Sequence, residues 1–154
     1  MNLNKVSSLI LSTSYFPPLG YFNNFNNDHN IYIENLEYYK RHSIRNRASI
    51  LGVNGSILLT VPVQRKHYSK TLIKNIKIAN NNWKKTHLNS IKSAYGSSPF
   101  FIYYFEDIKN IISANHVFLI DLNNQILNYF LNKFKIKIKI KKTEKYIKDY
   151  PVDF

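Results

Sequence analysis

The chain has no cysteine, which excludes disulfide bonds, a thiolate nucleophile and a zinc site built on sulfur. Long apolar runs are missing too. Residues 6–11 are interrupted by Ser7 and Ser8 and are too short for a signal-peptide core, and nothing approaches the ~20 apolar residues of a membrane span. A cytoplasmic protein without a membrane span is the expectation. No GxGxxG, P-loop or GxSxG string occurs, so the common nucleotide and hydrolase signatures are absent. The five histidines never fall at a metal-ligand spacing, so no metal is expected, and nothing in the letters names a cofactor. Acids are scarce: nine against 22 lysines and arginines, for a net charge of +13.

Such a charge ordinarily points to nucleic acid. Here lysine, asparagine and isoleucine, all encoded by A/T-rich codons, make up 59 of 154 residues, and the lysines are spread along the chain. Codon bias accounts for much of the charge, and nucleic acid is not the expected partner. With 44% hydrophobic and 15% aromatic residues the chain can bury a core, and its length suits one domain over 1–154.

Arginine is the informative scarcity. There are only four, and Arg41, Arg45, Arg47 and Arg65 all fall within 25 residues. Its planar fork grips a carboxylate or phosphate with two bonds, which lysine cannot imitate. The run lies around an expected β-hairpin, residues 44–51 and 56–63, with Asn54-Gly55 as a two-residue type I′ turn. That turn sets Ala48 opposite Val61, Ile50 opposite Leu59 and Asn46 opposite Val63. On the other face Arg45 meets Gln64, Arg47 meets Pro62 and Ser49 meets Thr60. The basic face is either solvated or the wall of a site.

The remaining pattern is α/β or α+β. Strands are expected over 6–13 and 31–33, separated by the turn Tyr15-Phe16-Pro17-Pro18 and a short helix over 19–27. A further strand is expected over 72–79. Three helices follow: one from the Asn80–Asn82 caps to Gly96, one starting at Ser98-Pro99, and one over 117–134. Strict Lys/Ile alternation over 135–141 reads as a final strand, its lysines acting as edge guards.

His87, between Trp83 and Ile91 on an apolar helix stripe, is either a bonded core residue or a general base. Glu37, with Asp28 and Glu34, precedes the arginines and either neutralises them or works as a catalytic carboxylate.

The strings Tyr15-Phe16-Pro17-Pro18-Leu19-Gly20-Tyr21-Phe22, Glu37 with Tyr39, Arg45-Asn46-Arg47, Gly52-Val53-Asn54-Gly55 and Leu59-Thr60-Val61-Pro62-Val63 closely resemble the WbqC-like protein family. Trp83, His87, Ser93-Ala94-Tyr95, Ser98-Pro99-Phe100-Phe101 and Asp121-Leu122-Asn123 continue the match in order. The resemblance implies a role in O-antigen or other surface polysaccharide biosynthesis, as a transferase of a small acyl or aminoacyl group such as glycyl. It brings no catalytic residue. Members of the family continue past the segment matching 146–154, so a C-terminally shortened domain is the expectation. The expected site has His87 and Glu37 as catalytic groups, with Arg45, Arg47, Asn46, Tyr15 and Tyr39 holding a small-molecule, nucleotide-sugar or glycan substrate. The alternative is a non-catalytic anion-binding module for nucleic acid or an anionic sugar.

Overall fold

The computed structural model describes residues 7–25, 29–64, 70–80 and 82–146. Three strands, β1 (Ser7–Ser12), β2 (His29–Glu34) and β5 (Ile140–Lys142), form a parallel sheet in the order β1-β2-β5. A separate antiparallel hairpin pairs β3 (Arg47–Gly52) with β4 (Gly55–Thr60). The helices α1 (Trp83–Tyr95), α2 (Phe101–Ser113) and α3 (Leu119–Lys133) fill the C-terminal half. The mixed architecture, the three helices and the closing Lys/Ile strand agree with the sequence pattern.

The apolar residues divide into two clusters that share one helix. Leu122 and Ile126 of α3 join Tyr15, Leu59, Val61, Trp83, Ile91 and Ile112 under the hairpin. Leu127 and Leu131, about 140° further round the same helix, join Leu11, Ile31 and Ile33 of the parallel sheet with Tyr21, Phe22 and Phe25. The 3-10 turn Leu19–Asn24 carries Tyr21 and Phe22 into this second cluster, where the short helix was expected.

The hairpin register differs from expectation. Ala48 faces Leu59, Ile50 faces Ile57 and Arg47 faces Thr60, so the loop is Val53-Asn54 and Gly52 pairs with Gly55. The cause lies in the turn. A type I′ turn needs positive φ at both central residues, whereas here Gly55 takes φ 111° and Asn54 does not. The slide moves β4 by two residues, which keeps every side chain on its expected face.

Arg45 is not in a ladder with Gln64. The amides of Asn46 and Arg47 both bond to Ser43 O, at 3.2 and 3.1 Å, so the chain is turning there. Asn46 still accepts from Val61 N through its carbonyl, and its side-chain Nδ2 donates to Val61 O (3.0 Å) in place of its own amide.

Three further elements are shorter than their patterns suggest. Residues 72–79 form a 3-10 turn, Ile73–Asn75, flanked by single bridges at Tyr38–Leu72, Val63–Ile78 and Lys77–Phe118. The second helix starts at Phe101 and not at Ser98-Pro99, because Phe100 takes a left-handed φ of 64° that no continuing helix allows. The final strand begins only at Ile140, although Ile136, Ile138 and Ile140 all pack on the second cluster and the alternating lysines face outward.

The turn geometry separates two neighbouring substitutions. Gly55→Ala should cost about 1–2 kcal/mol, the strain of a Cβ in the left-handed region. Asn54→Ala should stay within about 0.5 kcal/mol. Urea denaturation of the two variants checks this, and equal losses would return the turn to Asn54-Gly55.

Candidate functional site

The chemistry-bearing side chains collect where β1 ends, between the two apolar clusters. Arg45, only 4% exposed, places Nε 2.7 Å from Glu37 Oε1 and Nη2 2.5 Å from Glu37 Oε2, a two-bond fork on a carboxylate that is itself buried. Nη2 also donates to Ser12 Oγ (2.7 Å), tying the pair to the last residue of β1. Around it, Asn123 of α3 donates to Thr13 Oγ1 (3.1 Å) and to the Arg45 carbonyl (2.8 Å), and the Tyr21 hydroxyl donates to Ser12 O (2.7 Å). Burial pushes the Tyr21 hydroxyl well above its ordinary pKa, with Arg45 pulling it down and Glu37 pushing it up. At the end of β2, Glu34 Oε1 accepts from Thr143 Oγ1 (2.7 Å) and from Leu36 N (2.5 Å).

Two residues beyond Thr13, the buried Tyr15 connects this polar seam to a groove. Its amide bonds Ile44 O (2.8 Å), and its hydroxyl lies 2.8 Å from His87 Nδ1. His87 is 3% exposed, with Trp83 one turn earlier meeting its ring edge-on at 5.0 Å. Burial lowers its pKa from 6.5 to about 4, against the opposing effect of a hydrogen bond with the Thr60 backbone, so the ring is neutral near pH 7. Burial also holds Tyr15 strongly protonated, which makes it a natural donor to Nδ1. On its outer side the ring borders a groove of about 540 Å³ between β4 and α1, whose wall includes Thr60, Pro62, Trp83, Thr86 and Ser90. That volume is within the range of small-molecule sites, and hydroxyls beside an indole suit a polar ligand with one flat or apolar face.

The structure thus brings Glu37 to Arg45 and Tyr15 to His87, as two adjoining pairs. Asn46 is buried at the hairpin base with Oδ1 unpartnered, and Arg47, half-buried across from Thr60, has a buried Nε without a hydrogen-bond partner. Tyr39 is buried in the first apolar cluster. Neither Arg45 nor Arg47 lines the two larger concavities described. Arg41 is exposed, whereas Arg65 and Asp28 lie outside the described residues. Ser12 and Thr13, single small polar residues at a strand end, carry no spacing signal in the sequence, and Asn123 is visible there only within the family string Asp121-Leu122-Asn123. Among the described residues, no cluster of metal-ligating side chains occurs and no helix is long and apolar enough to cross a membrane.

An α/β scaffold with a buried arginine-carboxylate pair at its strand ends and a neutral histidine in a groove wall defines the class of molecule. The chain belongs to the WbqC-like protein family, whose sequence model matches residues 13–150. No curated protein and no solved structure is significantly similar to it.

Breaking the Arg45–Glu37 pair from one side should be severe. Glu37→Ala leaves a guanidinium buried without its partner and should cost about 3–5 kcal/mol in a denaturant titration; a loss typical of a surface residue would mean that Arg45 escapes to water. The histidine gives a pH signature. Between pH 6.5 and about 4 the unfolded chain protonates His87 while the folded protein resists, so this contribution to stability is complete above 6.5 and is lost as pH falls towards 4. In His87→Gln the fall of melting temperature across that window should be shallower than in the wild type, and parallel curves would place His87 in contact with water.

Proposed function

We propose that this chain transfers a small acyl or aminoacyl group, glycyl being the simplest, to an amine or hydroxyl of a nucleotide-sugar or glycan precursor of surface polysaccharide. The groove between β4 and α1 would hold the acceptor. The observation that carries this reading is the neutral His87 at the wall of a hydroxyl-lined groove, braced from behind by Tyr15. Family membership is consistent with it.

The reaction needs a proton acceptor, and the ring can serve in one tautomer. At rest Tyr15 donates to Nδ1 and the Nε2–H meets the Thr60 backbone. To act as a base the ring takes the other tautomer, in which Nδ1–H donates to the Tyr15 oxygen, Nε2 carries the lone pair, and the acceptor group replaces the Thr60 backbone contact. The acceptor N–H or O–H gives its proton to Nε2 as its lone pair attacks the donor carbonyl carbon. The new C–N or C–O bond then forms, the bond to the leaving group breaks, and the imidazolium returns the proton to that leaving group. Trp83 supplies a face for a sugar ring, and Thr86 and Ser90 supply hydroxyls. Arg47 pairs with Thr60 across the ladder but does not line the groove, so in this reading it supports the groove wall and does not hold the substrate. In this reading Glu37 and Arg45 act on each other, fixing the strand end from which Tyr15 projects, with Asn46 and Tyr39 holding the hairpin beside it.

The test is mass spectrometry of surface polysaccharide from cells carrying wild-type or His87→Gln protein. Loss of the acyl or aminoacyl substituent by a factor on the order of 10²–10⁴, with the melting temperature retained at pH 7, supports the proposal. A substituent at wild-type level in the variant sinks it, as does a loss no larger than the drop in folded protein.

A further inference from the structure

Parallel sheets are normally covered on both faces. Here the apolar cluster of Leu11, Ile31 and Ile33 covers one face of β1-β2-β5, and the other opens on a concavity of about 780 Å³. The registers fix what that open face presents. Ile10 pairs with Tyr32 and Tyr32 with Lys141, so the three stand side by side in one row across the sheet, with Ser8 in the row before. Lys141 Nζ lies 5.8 Å from the centre of the Tyr32 ring. At the carboxyl end of β5 the wall continues through Lys142 and Lys145, with Glu144 as the one acid among the described lining residues. The next row of the same face is Ser12 and Glu34, whose bonds to Arg45 and Thr143 close the far end with a rigid polar network.

We propose that this concavity is a second site, distinct from the β4–α1 groove, and that it binds a nucleoside diphosphate, with the base on Tyr32 and the two phosphates among Lys141, Lys142 and Lys145. The chemistry is specific to that class. Lys141 and Lys145, with Lys142 at the strand end, outnumber the two carboxylates nearby, Glu144 and the buried Glu34, which favours a compact anion, and a half-buried aromatic ring beside them selects an anion that carries a planar group. The site lies on a parallel sheet and runs to the carboxyl end of a strand, where open α/β sheets bind their ligands. A single-stranded nucleic acid is the other ligand with these features, but sheet platforms for it stack two or three bases on as many aromatic rings. Among the described residues of this lining Tyr32 is the one ring. The volume likewise suits one small molecule.

This inference stands apart from the transfer reaction and fails separately from it. Calorimetric titration with UDP, uridine, inorganic pyrophosphate and a single-stranded oligouridylate, at about 0.15 M salt, provides the test. UDP should bind with one-to-one stoichiometry and more tightly than either uridine or pyrophosphate. Lys142→Glu/Lys145→Glu, at exposed positions that leave the fold intact, should weaken UDP on the order of tenfold or more. Tyr32→Leu should lower UDP affinity roughly five- to hundredfold while leaving pyrophosphate unchanged. Four results would each overturn the proposal: no saturable UDP binding, an unaffected lysine double variant, a Tyr32→Leu variant that keeps its preference for UDP over pyrophosphate, or oligouridylate bound in preference to UDP.

Discussion

A guanidinium removed from water costs several kcal/mol unless its charge and its donors are met, and the placement of Arg45 therefore constrains everything around it. Glu37 must come close enough to offer both oxygens, which fixes the segment after β2. Ser12 must present its hydroxyl, which fixes the end of β1. The tight turn at Ser43 is what takes Arg45 out of the hairpin ladder and points it inward. Three stretches far apart in sequence are thus held at one point by bonds that are individually directional.

The two apolar clusters could slide on each other if nothing polar crossed between them. Asn123 prevents this. It stands on α3 between Leu122, which belongs to the cluster under the hairpin, and the turn carrying Leu127, which belongs to the cluster under the sheet. From there its amide reaches both Thr13 and the Arg45 carbonyl. Tyr15 performs the same service on the other side, with its backbone bonded to the arginine turn and its hydroxyl on His87. The groove histidine is therefore oriented, through one tyrosine, by the same seam that contains the ion pair.

Periodicity made the elements legible, and long-range partners did not. The Lys/Ile alternation gave both faces of the last segment correctly, because side-chain direction is a local property, while only Ile140–Lys142 found a partner strand. The Asn54-Gly55 pair located the hairpin but not its register, since glycine alone carries the positive φ. Of the clustered arginines, Arg45 lies in a buried network with Glu37 and Ser12, whereas Arg47 has a buried Nε without a hydrogen-bond partner. What Arg45 grips was not visible in its own strand, because Glu37 sits eight residues earlier across a turn. His87 lay on the apolar stripe with Trp83 and Ile91, as spacing required, and only the structure shows that Tyr15 meets it from 72 residues away.

The pairing of β5 with β2 has a consequence for how the chain acquires this shape. Ile31 finds Ile140 across more than a hundred intervening residues, and the contact is parallel, so no hairpin can deliver it. Closing so long a loop carries its entropic cost before any ladder bond forms, which makes this among the slowest contacts to establish. During synthesis from the N-terminus the hairpin and α1 can assemble while β2 still shows a bare strand edge. That edge stays open to other chains until the lysine-rich segment that carries β5 leaves the ribosome and seals it. The vulnerable species is the chain in which β5 has not yet docked, and once it has docked the charge of that edge strand keeps neighbouring copies apart.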